Sequence, residues 1–190
     1  MKNKVLVVGA SGGIGAALID QYRSMDNDII AVSRAPASDF EQTESVTYYQ
    51  ISTQDDKHIG EFVQQLAQQG VVISAVVITT GFLHNEENAI HPEKRLEDIN
   101  EAALSAYFGT NSITPALWLK HLVNIVSKEG STLVCLSARV GSISDNGLGG
   151  WYGYRASKAA LNMFVKTASV EYKRRVKNTM LVCYHPGTVD

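Results

Sequence analysis

Lys4-Val5-Leu6-Val7-Val8 is an unbroken β-branched and apolar run, and Gly9-Ala10-Ser11-Gly12-Gly13-Ile14-Gly15 follows it at once. A strand without polar alternation is expected to be buried on both faces. Beyond the glycines, Ile14, Ala17, Leu18, Tyr22 and Met25 recur at helical spacing. A buried strand, a tight turn and an amphipathic helix in that order restrict the fold to helix-covered sheets. Glycines let a backbone approach a pyrophosphate closely, and a helix N-terminus offers free N–H groups to an anion. The spacing here is Gly9-x-x-x-Gly13-x-Gly15 rather than the usual Gly-x-Gly-x-x-Gly. The same turn therefore also suits plain close packing of helix on strand.

The alternation continues along the chain. Residues 28–32, 46–51, 71–78, 132–136 and 180–184 read as further strands. Residues 55–69 read as a helix with Ile59, Phe62, Val63 and Leu66 on its apolar face and Asp55 or a neighbour as cap. A long helical stretch is expected from about 96 to 126, kinked near Pro115. Another runs from Tyr154 to about Arg175. At 190 residues the chain can build one domain with a sizeable core. The predicted architecture is α/β: a Rossmann-type, doubly wound parallel sheet of six strands in three layers, as a single domain over residues 1–190.

Ligands of such folds bind beyond the carboxyl ends of the strands. The Gly9 turn, Arg34, Gly81, Ser137 and Pro186 all sit at such ends. Where dinucleotide folds place an acidic residue for the adenosine ribose, this chain has Ser33-Arg34. A guanidinium suits a 2′-phosphate, which favours NADP(H) over NAD(H); the alternative is a solvated surface arginine. Tyr154 and Lys158 lie one helical turn apart on one face. A nearby ammonium favours the phenolate, so this tyrosine is expected to have a lowered pKa and to exchange a proton with a substrate oxygen. Such a pair also arises by chance, and the case rests on its convergence with the strand-end features.

Other classes find little support. The net charge of −2 argues against a nucleic-acid or membrane-surface partner. The basic cluster Lys173-Arg174-Arg175 sits at an expected helix end, where it complements the dipole. Cys135 and Cys183 fall in apolar strands and read as buried free thiols. His84 and His91, in the polar stretch from Phe82 to Arg95, lack partners at ligand spacing, so no metal is expected. There is no signal-peptide pattern at the start and no apolar run near the roughly 20 residues of a membrane span, which fits the cytoplasm.

With these residues in hand, the chain resembles the short-chain dehydrogenase/reductase family over essentially its whole length. The resemblance rests on Gly9-x-x-x-Gly13-x-Gly15, Asn111, Tyr154-x-x-x-Lys158 and Pro186-Gly187. The stretches 137–143 and 149–158 are similar to the C-factor-like and sniffer-type carbonyl reductase branch. The resemblance implies an NADP(H)-dependent oxidoreductase moving a hydride between the nicotinamide and a small carbonyl or alcohol substrate, working as a dimer or tetramer. It implies Tyr154 as general acid/base, Lys158 as its partner on the nicotinamide ribose, and Asn111 behind a proton-relay water. It implies Gly9, Ser11, Gly13, Ile14 and Gly15 around the pyrophosphate, Ser33 and Arg34 at the 2′-phosphate, Gly81 at the adenosine, and Pro186, Gly187 and Val189 at the carboxamide. Ser137 would hold the substrate oxygen, with Ser142 as the alternative, because the family's usual catalytic serine aligns with Ala138. Family members have Asn-Asn-Ala-Gly where this chain has Ile78-Thr79-Thr80-Gly81, so side-chain support of the central sheet is expected to be lost. Ser52 stands where an aspartate often touches adenine, and Val8 where a threonine often precedes the first glycine. The family also continues past the Pro-Gly turn into a substrate-covering loop, a helix and a seventh strand, so the chain reads as C-terminally incomplete. A nucleotide-binding regulatory or signalling protein on the same fold is the alternative reading.

Overall fold

The structure is a computed structural model and describes residues 2–86 and 88–187. Six strands, β1 (Lys4–Val8), β2 (Asp28–Ser33), β3 (Val46–Gln50), β4 (Ala75–Ile78), β5 (Ser131–Leu136) and β6 (Thr179–Tyr184), form one sheet. All pairings are parallel, in the order β3-β2-β1-β4-β5-β6. Five α-helices connect them: α1 (Gly13–Ser24), α2 (Asp56–Gln68), α3 (Glu101–Phe108), α4 (Thr114–Leu122) and α5 (Tyr152–Arg175). The chain order reverses between β1 and β4, which opens a crevice at their carboxyl ends.

Alternation along the strands divides the core. Leu6, Val8, Ile30, Val32, Val76 and Ile78 face one way, onto Ile59, Phe62 and Leu66 of α2, Trp118 and Leu122 of α4, and Leu161 and Val165 of α5. Val5, Val7, Ile29 and Ala31 face the other way, onto Ile19 and Tyr22 of α1. Trp118 is fully buried, and its indole N–H donates to the Thr53 carbonyl, so the largest core side chain is also satisfied. Asp55 caps α2 by accepting the His58 N–H, as expected. β6 lies at the sheet edge, and Cys183 on it is only half-buried, unlike Cys135 on the inner β5.

Two boundaries differ from the sequence-based expectation. Residues 71–74 do not extend β4, because Ile73 exchanges backbone hydrogen bonds with Ile125 and Ser127 instead. The stretch 96–126 is not one helix kinked at Pro115. Asn100 caps α3 by accepting the Ala103 N–H, and a π-helical segment (Gly109–Ile113) separates α3 from α4. Pro115 falls in the first turn of α4, where a missing N–H is tolerated. It has no N–H for the carbonyl of residue 111, so the break lies before the proline and around Asn111.

Candidate active site

The glycine turn closes on both sides of the crevice. Gly9 has φ +95, and the Gly9 and Ala10 N–H groups both donate to the Val32 carbonyl. The Thr79 hydroxyl is shared between the carbonyls of Val8 and Gly9, at 2.9 and 3.2 Å. This corrects the expectation that losing the family's asparagines removes side-chain support there; a threonine supplies it. Gly15 is packed rather than exposed: a Cβ on it would lie 2.2 Å from the Gly9 carbonyl oxygen. Gly13 has open space beside it. Helix α1 begins without a capping side chain and without an acidic residue in its first turn, so its leading N–H groups are left for an outside acceptor.

Two cavities meet along Thr79-Thr80-Gly81-Phe82. The larger, about 970 Å³, runs past Gly9, Ser11, Gly12, Ser33, Arg34, Thr53 and Gln54. Arg34 is exposed at its rim and forms no ion pair among the described residues. Ser33 is buried, with its hydroxyl turned onto the Ala35 carbonyl. The smaller cavity, about 480 Å³, is walled by Ile14, Ser137, Trp151, Tyr154, Lys158, Pro186 and Gly187. Both volumes lie in the range of small-molecule sites. Gly13 and Gly15 line neither cavity. Val189 lies outside the described residues.

The π-helical segment places Asn111 at the back of this junction, fully buried rather than solvated. Its Oδ1 accepts the Phe82 N–H, and its Nδ2 donates to the Phe82 carbonyl and to Ser157 Oγ. A Cβ on Gly81 would lie 3.1 Å from Lys158 Nζ and 3.2 Å from Asn111 Oδ1, so Gly81 leaves room for both groups. The Ser112 hydroxyl donates to the Ser157 carbonyl, tying the π segment to α5. Gly141 serves a similar purpose on the other side, since a Cβ there would sit 2.9 Å from Lys158 Cβ.

Lys158 is 3% exposed, and its Nζ donates to the Leu136 carbonyl and stands 5.8 Å from the centre of the Tyr154 ring. Burial pulls its pKa down to about 8. Tyr154 packs edge-on against Tyr107 and Trp151, and burial raises its pKa above the ordinary 10. This corrects the expectation of a tyrosine tuned down by its lysine. The ammonium is anchored to a carbonyl and lies over the ring, so desolvation dominates.

The two candidate serines separate. Ser137 borders the Tyr154 cavity, and its hydroxyl donates to Asn162 Oδ1 at 2.7 Å. Ser142 lies beside Ser144 and borders a different hollow, lined by the 140–150 loop and by Tyr152, Arg155 and Ala159 of α5. Thr53, Gln54, Thr80, Ser157 and Asn162 escaped the sequence reading. The only signal for them was adjacency in sequence to the strand ends and to the Tyr-Lys pair. Thr80 Oγ1 is buried, has no hydrogen-bond partner among the described residues, and its residue borders both cavities, an orphan at the junction. An uncapped helix start, an open Gly13, a free Arg34 and an orphan hydroxyl together suit a long, anionic, hydroxyl-bearing cofactor.

Residues 3–190 match the family described as short chain dehydrogenase, and the chain belongs to that family of oxidoreductases. It is 25% identical over 185 residues to 1-hydroxy-2-glutathionyl-2-methyl-3-butene dehydrogenase of Rhodococcus sp. (strain AD45), spanning 97% of this chain and 77% of that protein. A carbonyl reductase from Pseudomonas aeruginosa PAO1, in complex with NADP, superposes with TM-score 0.81 at 24% identity, covering 100% of this chain and 80% of the other. The carbonyl reductase Sniffer of D. melanogaster superposes with TM-score 0.82 at 20% identity, covering 98% and 81%. At those identities the likeness shows the fold. Among the described residues, no helix is long and apolar enough to cross a membrane.

Proposed function

We propose that this chain is an NADP(H)-dependent carbonyl reductase of the sniffer-type, C-factor-like branch, acting on small carbonyl or alcohol substrates. The observation that carries this reading is the shared rim Thr79–Phe82. It joins the trough beginning at the glycine turn to the cavity holding Tyr154 and Lys158. The named carbonyl reductase neighbours, one of them with NADP, support it. When bound, the nicotinamide gives or takes the hydride.

The protein manages the proton and the geometry. Burial keeps Tyr154 protonated at neutral pH, so its hydroxyl is ready to donate to a carbonyl oxygen as hydride arrives. In the reverse direction the phenolate is needed, and alcohol oxidation should be favoured as pH rises. Lys158, held near a pKa of about 8, changes charge close to neutrality and sits between Leu136 and the shared rim, where cofactor ribose hydroxyls would reach it. Asn111 Oδ1 lies beside it across Gly81, suited to holding a proton-carrying water. The Ser137 hydroxyl donates its hydrogen bond to Asn162 Oδ1. A turn of the Asn162 amide would reverse that bond and free the serine proton for the substrate oxygen. Assembly as a homo-oligomer and residence in the cytoplasm complete the reading.

The test is NADPH oxidation by full-length protein against a panel of aldehydes and ketones. Turnover with NADPH well above NADH is expected. Tight NADPH binding without any turnover would instead favour a nucleotide-binding regulatory protein, and no binding would sink both. Arg34→Asp should shift preference towards NADH by roughly ten- to a hundredfold, the worth of a charged hydrogen bond to a phosphate. An equal loss with both cofactors would remove the 2′-phosphate role from Arg34.

A further inference from the structure

Glu93 lies in the polar segment between β4 and α3, where a carboxylate would ordinarily face water, yet it is 3% exposed. Both carboxylate oxygens lie 3.2 Å from the Gly153 nitrogen and accept its N–H. The Glu93 carbonyl also accepts the Trp151 N–H at 2.5 Å. These are leading N–H groups of α5, the helix that carries Tyr154 and Lys158. Its own N-cap, Trp151, has no side-chain acceptor and stands in the left-handed region at φ 54. The capping oxygen that a serine or aspartate normally supplies from within the helix comes here from another segment, and a carboxylate suits the positive end of the dipole.

The fit is specific to this glutamate. A Cβ on Gly153 would lie 2.8 Å from Glu93 Oε1 and 2.5 Å from Tyr107 Cδ2, so only glycine admits both neighbours. The Tyr107 hydroxyl donates to the Leu83 carbonyl, which fastens the other end of the same segment. Burial, and then the Glu93 charge, push Tyr107 up to about 12, so it remains a donor at any ordinary pH. The Tyr107 ring in turn stacks on Phe82 and meets Tyr154 edge-on at 6.2 Å.

We infer that Glu93 is a positioning residue: it caps the catalytic helix from outside and, with Tyr107, fixes where Tyr154 stands in the cavity wall. The inference rests on Tyr154 being the general acid. Glu93→Ala removes the cap. Glu93→Gln keeps one acceptor oxygen. Glu93→Asp keeps the charge but draws it back by one methylene.

In full-length protein, Glu93→Ala should lower kcat by roughly ten- to a hundredfold, the scale of a small misplacement of a reacting group. NADPH affinity, read by fluorescence titration, should fall by a smaller factor than kcat, because α5 also carries Lys158 and Glu93 borders the larger cavity. Glu93→Gln should recover kcat to within a few-fold, because its amide oxygen still accepts the Gly153 N–H. A readout independent of turnover is the ultraviolet phenolate titration of Tyr154, taken as the difference between each protein and its Tyr154→Phe partner. In Glu93→Ala that phenol should titrate at lower pH than in wild type, since the burial that raises it is relaxed. Wild-type kcat and an unmoved titration in folded Glu93→Ala would overturn the inference. If Glu93→Ala does not fold, Glu93→Asp should show the loss that Glu93→Gln lacks, and equal kcat in the two would overturn it. If the wild type reduces no carbonyl, the reductase reading fails while the titration still decides the role of Glu93.

Discussion

Tyr154→Phe is expected to lower kcat by roughly 10²- to 10⁴-fold, the span of positioned general acid–base catalysis. The ring's contacts with Tyr107 and Trp151 need no hydroxyl, and that hydroxyl makes no hydrogen bond among the described residues. Removing it should leave the fold and the NADPH affinity intact. Steady-state NADPH oxidation and a fluorescence titration, run side by side, separate the two effects. A fall in kcat with binding preserved places the proton at Tyr154. Full turnover in the variant would mean that another group, such as Lys158 or a water, supplies it. The raised Tyr154 pKa adds a direction: the phenol is in its donating form at neutral pH, so carbonyl reduction should depend less on pH there than alcohol oxidation.

Gly15→Ala should damage the glycine turn through packing alone, since Gly15 does not need a left-handed φ as Gly9 does. The added carbon would fall 2.2 Å from the Gly9 carbonyl oxygen and 3.0 Å from Ala10 Cα. These are backbone atoms already bound to Val32 and Thr79, so they cannot swing aside as a side chain would. Overpacking of this kind destabilises by about 1–3 kcal/mol, which for a domain of this size lowers Tm by roughly 2–12 °C. NADPH affinity should fall as well, because the turn must shift. Gly13→Ala is the control: nothing lies within 4 Å of the new carbon. It should melt like the wild type, and any loss of NADPH affinity would then report on contact with the cofactor alone. Equal melting of the two variants would show that the turn gives way easily and that Gly15 is not a packing glycine.

The strands and most helices were legible because their signals are local. The apolar runs ending at Val8, Val32, Ile78 and Leu136 each became an inner strand, and the 3.6-residue pattern on α2 matched the buried face. The break in the 96–126 stretch was misplaced because a π turn has no composition of its own. It arises where Pro115 withholds an N–H, where Asn111 is drawn onto the Phe82 backbone and Ser157, and where Ser112 is drawn onto Ser157 of α5. The site was legible as a set of residue types at strand ends, not as a geometry. In sequence Ser137 stood only as the nearer match with Ser142 as the alternative, whereas in the structure they border different cavities. Thr79 looked like a lost asparagine, whereas its hydroxyl stitches the ends of β1 and β4 together.

The sequence by itself determined the alternation of strands and helices, the side of the sheet on which ligands gather, and the Tyr154–Lys158 spacing. All three depend on periodicity and turn chemistry within a few residues. Only the tertiary structure decided which way Tyr154 is tuned, because desolvation is a property of what surrounds a group. It also brought Glu93 to the start of α5 from about 60 residues away. A hydrogen bond across that separation leaves no periodic trace, since nothing local requires a glutamate there.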